Sequence, residues 1–247
     1  MEPIIYDNER IDQLSAQNIQ IIQSSDVFSF SLDAVLLAHF ARIPKRGLIV
    51  DLCSGNGAVG LFISRKTQAQ IIGVELQERL ADMARRSIQL NNLEEQLSVL
   101  NIDLKETNQL VRKDTVDCVV CNPPYFKELP TNVKNPNPHL AIARHELHTN
   151  LEEVIKMSAG LLKMNGRFSM VHRPERLTEI LAVMQHYHLE PKRMQLVYPK
   201  VGREANTLLI EGIHHGKPGG LKILPPLYVY GDDNQYLPEI EAILHGE

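Results

Sequence analysis

Between residues 47 and 172, short apolar runs alternate with longer segments in which apolar and polar residues mix. This alternation is typical of βαβ units, in which crossover helices join the strands of a buried parallel sheet. The predicted strands are residues 47–53, 70–76, 97–103, 116–121 and 167–172. The predicted helices are residues 58–66, 77–91, 104–111, 150–162 and 175–187. The sequence therefore predicts an α/β fold with a doubly wound, mostly parallel sheet.

Two more apolar runs, residues 194–198 and 205–212, follow the last of these helices. The six residues between them include Pro199 and Gly202, which favour a loop. A hairpin fits so short a connection better than another crossover helix, so we expect an antiparallel strand at the end of the sheet. Residues 216–220 and the pair Pro225-Pro226 indicate a loop-rich C-terminal end.

Residues 1–46 precede the alternating pattern and contain a predicted strand at 18–23 and a predicted helix at 32–41. This segment is too short for an independent domain. We expect it to form a lid along the sheet edge, with residues 47–247 as the main domain of one compact unit.

The composition describes an ordinary globular enzyme with a formal net charge of -4. The N-terminal residues lack the pattern of a secretion signal, and no apolar run approaches the length needed to cross a bilayer. The chain has three cysteines, which favours a reduced cytoplasm. Cys118 and Cys121 have a Cys-x-x-Cys spacing, but they lie in a predicted strand. Their side chains should point to opposite faces, so we expect packing rather than a redox or metal site.

A glycine-rich turn follows the first predicted strand. Gly55, Gly57 and Gly60 match the dinucleotide-binding fingerprint, and Glu75 ends the next strand about 20 residues later. Glycines here let a ligand approach bare backbone, and a carboxylate at the second strand can accept two hydrogen bonds from ribose hydroxyls. The pattern fits a nicotinamide or flavin dehydrogenase as well as an S-adenosylmethionine enzyme.

Acidic residues at three successive strand ends separate these two readings. Asp51 at the first strand end would repel a pyrophosphate but favours the cationic amino acid moiety and sulfonium of S-adenosylmethionine. Asp103 at the third strand end can accept a hydrogen bond from the adenine amino group. The sequence therefore predicts an S-adenosylmethionine site. Its residues are Asp51, Ser54, Gly55, Gly57, Glu75, Leu76, Ile102, Asp103 and Asn122.

The fourth predicted strand ends in Asn122-Pro123-Pro124-Tyr125, all four of which are candidate catalytic residues. The carboxyl ends of parallel strands face the ligand, so this tetrapeptide should lie beside the cofactor. The Asn122 side-chain oxygen and the Pro123 carbonyl can each accept one N–H from an amino group, which aligns its nitrogen and stabilises developing positive charge. Tyr125 offers a ring face for stacking a planar substrate. The motif predicts methyl transfer to an amino group.

These motifs resemble those of class I amino-methyltransferases, and the wider pattern resembles the bacterial tRNA(Val) adenine-N6 methyltransferase family. The wider pattern comprises residues 28–38, 143–146, 199–200, 204–206, 208–211 and 225–230. The resemblance covers almost the whole chain. It implies methylation of N6 of the adenine 3′ to a tRNA anticodon, with Asp33 or its neighbours near the methionine end of the cofactor. It also implies a class I fold, with residues 47–247 as the methyltransferase domain.

A tRNA partner requires positive charge, whereas the whole chain is slightly acidic, so we expect local RNA contacts. The candidate RNA-binding residues are Lys127, Lys134, Arg144, Arg173, Arg176, Lys192, Arg193, Lys200 and Arg203. Residues 126–146 are long enough for a functional lid. His139 and His145 in that loop and His148 just after it lack a metal-binding spacing, so no metal is expected.

Other substrates share the same tetrapeptide. Enzymes that methylate glutamine in release factors carry a helical N-terminal domain that residues 1–46 cannot supply. DNA adenine enzymes add a recognition region for which this chain has little room, and guanine-N2 enzymes acting on rRNA tend to place Phe where Tyr125 stands. A catalytically idle binding module is the non-enzymatic alternative, against which the intact Glu75, Asp103 and Asn122 argue.

Overall fold

The computed structural model describes residues 3–14, 18–25, 27, 31–125 and 149–245. Its main feature is a nine-stranded sheet in the order β10-β8-β9-β7-β6-β3-β4-β5, with β11 also pairing with β8. The strands are β3 (Leu48–Leu52), β4 (Gln70–Glu75), β5 (Leu97–Asn101), β6 (Val116–Cys121), β7 (Leu162–His172), β8 (Leu189–Tyr198), β9 (Thr207–His214), β10 (Lys222–Ile223) and β11 (Leu227–Tyr228).

The five strands from β3 to β7 are mutually parallel, and β9 runs antiparallel to both β7 and β8. This confirms the expected doubly wound sheet with an antiparallel C-terminal hairpin. The strand order reverses at β3, because β4 and β5 lie on one side of it and β6 and β7 on the other. A crevice at such a reversal is where open α/β sheets bind their ligands.

Seven α-helices occur in the described residues. They are α1 (Leu32–Phe40), α2 (Ala58–Ser64), α3 (Glu78–Leu90), α4 (Thr107–Leu110), α5 (Leu151–Leu161), α6 (Leu177–His186) and α7 (Pro238–His245). Two predicted helices begin with a 3-10 turn instead, at Leu104–Glu106 and Pro174–Arg176. The first of these turns forms because Asp103 accepts a hydrogen bond from the Lys105 backbone N–H and so caps it.

Apolar residues cover both faces of the sheet, as expected for strands that are continuous apolar runs joined by crossover helices. Helices α1, α2, α3 and α7 share one core with the sheet, and α5 and α6 share the other. Cys118 packs in the first core and Cys121 in the second, which confirms that these two thiols diverge. Burial raises the pKa of Cys118 to about 12. Burial and a hydrogen bond with Cys53 also raise the pKa of Cys121.

The described part of the N-terminal segment contains a hairpin and a helix. Strands β1 (Glu9–Leu14) and β2 (Ile19–Ser24) form a separate antiparallel hairpin that packs on α3. Helix α1 contacts α2, β7 and β9, and its residues from Ala34 to Ala38 are buried. A helix that is apolar nearly all round belongs inside a core, which explains why α1 completes one helical layer.

The C-terminal end holds more regular structure than its prolines and glycines indicated. β11 pairs with β8 through Leu227 and Val197, and Ile240 and Ile243 of α7 enter the first core. Two-residue strands give no periodic signal, so the sequence could not reveal them. Within the described ranges, no helix is long and apolar enough to cross a membrane.

Candidate active site

The turn after β3 carries the glycines of the predicted cofactor site. Cys53, Gly55 and Gly57 all have positive φ, at 57°, 56° and 85°. Gly57 begins α2, and a Cβ there would stand 3.2 Å from Cβ of Ala84. By contrast, apart from Gly55 and its two chain neighbours, no atom of the described residues lies within 4 Å of the position that a Cβ of Gly55 would occupy. The bare backbone at Gly55 therefore faces open space, as close approach of a ligand requires.

Asp51 lies beneath this turn rather than at its surface. Its residue is 1% exposed, and its Oδ2 accepts a 3.1 Å hydrogen bond from the Gly60 backbone N–H. Burial raises the pKa of Asp51 to about 8, and the charge of Glu75 adds to that shift. Asp51 Oδ1 and the nearby Ser54 hydroxyl are buried and have no hydrogen-bond partner in the described part of the chain. Asp51 thus braces the turn, and two unsatisfied polar groups lie close to the proposed ligand.

Glu75 joins the end of β4 to the glycine turn. Its Oε2 accepts from the Gly55 N–H at 2.9 Å, and its Oε1 accepts from the Gln77 N–H at 2.8 Å. Burial raises the pKa of Glu75, and these backbone hydrogen bonds counteract part of that shift. A carboxylate has about four acceptor positions, so Glu75 keeps acceptor capacity for a ribose hydroxyl.

The residues assigned to the adenine end lie at the tips of β4 and β5. Leu76 is 39% exposed, and Ile102 donates its backbone N–H to the Glu75 carbonyl at 3.2 Å. Asn101, which the sequence analysis missed, donates to the carbonyls of both Glu75 and Leu76 at 2.9 and 3.0 Å. These bonds hold two strand ends together beside Asp103, and an exposed leucine there suits the face of an adenine ring.

The tetrapeptide follows β6, directly beside β3. The pairing of Leu52 with Cys121 places Asn122 next to the start of the glycine turn, and Pro123 is buried. The Tyr125 hydroxyl lies 2.5 Å from Asn122 Oδ1 and 3.0 Å from Asp33 Oδ2. The structure thus brings the candidate catalytic residues and the candidate cofactor turn to one end of the sheet.

Asp33, His172 and Arg173 contact Tyr125, and Thr207 donates a hydrogen bond to Asp33. The Arg173 guanidinium carbon lies 4.6 Å from the Tyr125 ring centroid, so it covers one face of the ring. The His172 ring centroid lies 5.3 Å from the same ring, and burial lowers the pKa of His172 to about 3, which keeps it neutral. No motif revealed His172 or Thr207, because they reach the site from the end of β7 and the start of β9.

Two members of the predicted RNA-binding set are buried in the fold. Arg193 is buried, stacks on Phe40 and pairs with Glu211, with 3.5 Å between Nη1 and Oε2. Arg176 is also buried, pairs with Glu179 and donates to the Tyr125 carbonyl. Both guanidinium groups form ion pairs within the fold, which makes them weaker candidates for phosphate contacts.

The other described candidates for RNA binding differ in how far their charged groups are already paired within the protein. The Arg173 guanidinium stacks on the Tyr125 ring, and Lys192 donates to the carbonyl oxygens of Lys217 and Gly219. Lys200 donates to the Asp232 carbonyl at 3.4 Å, and Arg203 is exposed. Both belong to the β8–β9 turn. His172 at the carboxyl end of β7 pairs with Leu208 near the start of β9. The β8–β9 turn therefore lies at the same end of the sheet's strands as the tetrapeptide.

Several residues named from the sequence lie outside the described residues. They are Lys127, Lys134 and Arg144, the loop 126–146 with its histidines, and residues 28–30 of the N-terminal pattern. Among the residues that are described, no group of His, Cys, Asp or Glu could hold a metal ion.

With this geometry established, comparison with known proteins identifies the family. A family model described as the methyltransferase small domain matches residues 18–188, which is more than half of the chain. The protein belongs to this methyltransferase family. The methyltransferase assignment agrees with the resemblance seen in the sequence, and S-adenosylmethionine is the cofactor that it implies.

Individual relatives of the methyltransferase agree with this assignment. The chain is 26% identical over 184 residues to a tRNA1(Val) (adenine(37)-N6)-methyltransferase from Photobacterium profundum, covering 73% of this chain and 75% of that one. A predicted O-methyltransferase from Agrobacterium tumefaciens has a similar fold, with a TM-score of 0.69, 21% identity, and coverage of 87% and 96%. Geranyl diphosphate C-methyltransferase from Streptomyces coelicolor, solved with S-adenosyl-L-homocysteine, gives a TM-score of 0.54 at 14% identity, covering 74% and 79%.

Proposed function

We propose that this methyltransferase transfers the methyl group of S-adenosylmethionine to N6 of an adenine in tRNA, the adenine 3′ to the anticodon in a tRNA(Val)-type substrate. The observation that carries the proposal is the position of Asn122, at the carboxyl end of β6 and beside the glycine turn of β3. The relative from Photobacterium profundum carries the name of this same activity. An anticodon-loop adenine suits the site because it is already partly unstacked and costs little to flip out.

Asn122 and Pro123 supply the acceptors for the reacting amino group in this proposal. The adenine amino group is a weak nucleophile because its lone pair is delocalised into the ring. Hydrogen bonds to the Asn122 side-chain oxygen and the Pro123 carbonyl orient this nitrogen and stabilise the positive charge that develops on it. The bound cofactor supplies the electrophilic methyl group. The methylated nitrogen then loses a proton to water, so no strong general base is needed.

The cofactor would be held across the ends of β3, β4 and β5. Glu75 would accept from the ribose hydroxyls, and Asp103 would accept from the adenine amino group beside Leu76 and Ile102. The open backbone at Gly55 and the unsatisfied buried polar atoms of Asp51 and Ser54 fit a ligand that brings hydrogen-bonding groups to this turn. Because α1 shares its core with the sheet, residues 1–46 and 47–247 would act as one catalytic unit.

The tRNA would meet the protein through local basic contacts near the tetrapeptide. Arg203 and Lys200 in the β8–β9 turn are the described candidates, and Lys127, Lys134 and Arg144 belong to the same hypothesis from sequence alone. A tRNA substrate would place the enzyme in the cytoplasm.

Transfer of labelled methyl groups tests the substrate. Purified enzyme, labelled S-adenosylmethionine and tRNA from a strain lacking this protein should yield N6-methyladenosine on nucleoside digestion. Bulk tRNA from the parent strain should accept much less label, because its site is already modified. Labelling of a release factor as N5-methylglutamine, with tRNA unlabelled, would replace adenine with glutamine as the acceptor.

A further inference from the structure

The Tyr125 hydroxyl lies between two acceptors that it cannot serve equally. Asn122 Oδ1 is 2.5 Å away on one side, and Asp33 Oδ2 is 3.0 Å away on the other. A phenol carries one proton, so it can donate one full hydrogen bond at a time. Burial raises the pKa of Tyr125 well above its ordinary value, with the Asp33 charge adding to the shift, so the phenol keeps this proton at neutral pH.

The choice between these acceptors matters because Asn122 Oδ1 is needed elsewhere. In the proposed reaction this oxygen accepts from the substrate amino group, on which positive charge develops. A phenol that donates to the same oxygen occupies one of its two lone pairs and withdraws electron density from it. The amide oxygen becomes the strongest available acceptor only when the phenol donates to Asp33 instead.

The surroundings of Asp33 favour its carboxylate as the acceptor of that hydrogen bond. It lies in the first turn of α1, where the helix dipole stabilises negative charge. The Thr207 hydroxyl donates to its Oδ1 at 3.3 Å, and Arg173 Nη2 lies 3.9 Å from its Oδ2. A charge-assisted hydrogen bond to a carboxylate is roughly twice as strong as one to a neutral amide. Asp33 is therefore the better acceptor once Asn122 has another donor.

Arg173 holds the phenol in place during this exchange. Its Nη1 donates to the Asn206 carbonyl at 2.6 Å, which anchors the guanidinium over the Tyr125 ring. Its positive charge stabilises the Asp33 carboxylate, and its stacking on the Tyr125 ring holds the ring in place. The ring therefore keeps its position while its hydroxyl changes partner.

We propose that Asp33 is a positioning residue for methyl transfer that acts through Tyr125, accepting the phenolic hydrogen bond so that Asn122 Oδ1 is released to the substrate amino group. The proton stays on Tyr125 throughout, and only its acceptor changes. This inference rests on the proposed role of Asn122. It differs from the role that family resemblance gave Asp33, which was contact with the methionine end of the cofactor.

A double-mutant cycle separates the two roles of Asp33. Asp33→Asn, Tyr125→Phe and the double variant are compared with the wild-type enzyme for single-turnover methyl transfer, S-adenosylmethionine affinity and thermal stability. We expect Asp33→Asn to slow methyl transfer by about 10-fold, with cofactor Kd changed less than 2-fold, because one charge-assisted hydrogen bond is weakened. The double variant should be no slower than Tyr125→Phe alone. Asp7→Asn, in the exposed turn before β1, is the matched control and should leave all three measurements unchanged.

Two results would overturn the inference. One is an equal 10-fold loss from Asp33→Asn in the Tyr125→Phe background, because Asp33 would then act without the phenol. The other is a rise in cofactor Kd that accounts for the whole rate loss. Asp33→Ala serves as a second variant with a larger expected loss, and its melting temperature shows whether folding has failed. The cycle is run with whichever amino acceptor the wild-type enzyme methylates, so failure of the tRNA assignment appears first, in the wild type alone.

Discussion

The backbone N–H of Gly55 donates a 2.9 Å hydrogen bond to Oε2 of Glu75, which ties the glycine turn to the end of the neighbouring strand. One carboxylate therefore shapes the turn and faces the proposed ribose at the same time. Glu75→Gln should weaken S-adenosylmethionine binding roughly 10- to 100-fold, since hydrogen bonds to charged groups contribute about 1.5–3 kcal/mol each. Calorimetric titration measures this change. Glu78→Gln, an exposed neighbour at the start of α3, should bind normally, and equal weakening by both variants would contradict the assignment.

Asn122→Ala should leave cofactor affinity nearly intact but remove the acceptor that the amino group needs. We expect a loss in kcat of roughly 100- to 1000-fold, the effect of deleting one preorganised electrostatic contact. Rapid-quench turnover and cofactor titration on the same sample separate the two quantities. Asn108→Ala, an exposed substitution in α4, is the control. Parallel losses of affinity and turnover would show that Asn122 holds the cofactor instead.

The buried carboxyl of Asp51 should make stability depend on pH. Its pKa is raised to about 8, so the folded state binds its proton more tightly than the unfolded state does. The resulting stabilisation is complete below the unfolded pKa of about 4 and is lost as pH rises through 8. Urea unfolding at pH 5 and pH 8 should show a smaller decrease for Asp51→Asn than for the wild type, by up to about 1.4 kcal/mol per pH unit. An unchanged decrease would mean that Asp51 does not titrate in this range.

The N-terminal hairpin should depend on one ion pair with α3. Arg86 donates to both carboxylate oxygens of Glu9, at 2.6 and 2.7 Å, and the Glu9 side chain is fully buried. Arg86→Met should lower the free energy of unfolding by about 3 kcal/mol, because it leaves a buried charge without its main partner. Denaturant unfolding measures this loss, and limited proteolysis should show earlier cleavage in the hairpin.

The control lies in the same hairpin. Arg10 pairs with Asp12 at the surface, with 56% of the Arg10 side chain exposed. Arg10→Met should therefore change stability by less than about 0.5 kcal/mol. Similar losses of unfolding free energy from Arg86→Met and Arg10→Met would contradict the prediction that the buried Arg86–Glu9 pair is the more stabilising one.

Exposed and buried arginines should respond differently to substitution. Arg203→Ala in the β8–β9 turn should weaken tRNA binding several-fold and reduce the salt dependence of affinity by about one counterion. Arg65→Ala, at the opposite end of α2 from the glycine turn, should leave tRNA affinity unchanged. Arg193→Met should instead change stability, because its guanidinium pairs with Glu211. Equal weakening by Arg65→Ala would indicate nonspecific attraction rather than a local contact.

Regular periodicity made most of the fold predictable from sequence. The strand at 116–121 coincides with β6, and the helix predicted at 77–91 differs from α3 by one residue at each end. These elements have long or clearly alternating apolar patterns, so local composition decides them. The short strands β10 and β11 have no pattern of their own and form only because β8 offers an edge for pairing.

Part of the candidate site was also predictable from the sequence, and part was not. The glycine turn, Glu75, Asp103 and the Asn122–Tyr125 tetrapeptide could all be found in the sequence, because each follows a strand and carries a residue type that its chemistry needs. The sequence could also name Arg193 and Arg203 as candidate RNA-binding residues, but it could not distinguish the two. Burial decided that distinction, since Arg193 lies in β8 with its side chain buried, whereas Arg203 lies in the exposed turn between β8 and β9.

By itself, the sequence determined the succession of strands and helices along the chain. It also determined which reactive side chains stand at the strand ends, because both features depend on residues close together in the chain. Only the tertiary structure decided that Asp33, Tyr125, Arg173 and Thr207 meet, since they come from α1, the segment after β6, the end of β7 and the start of β9. Contacts between residues 92 and 174 positions apart arise from sheet order and helix packing, which no local pattern encodes.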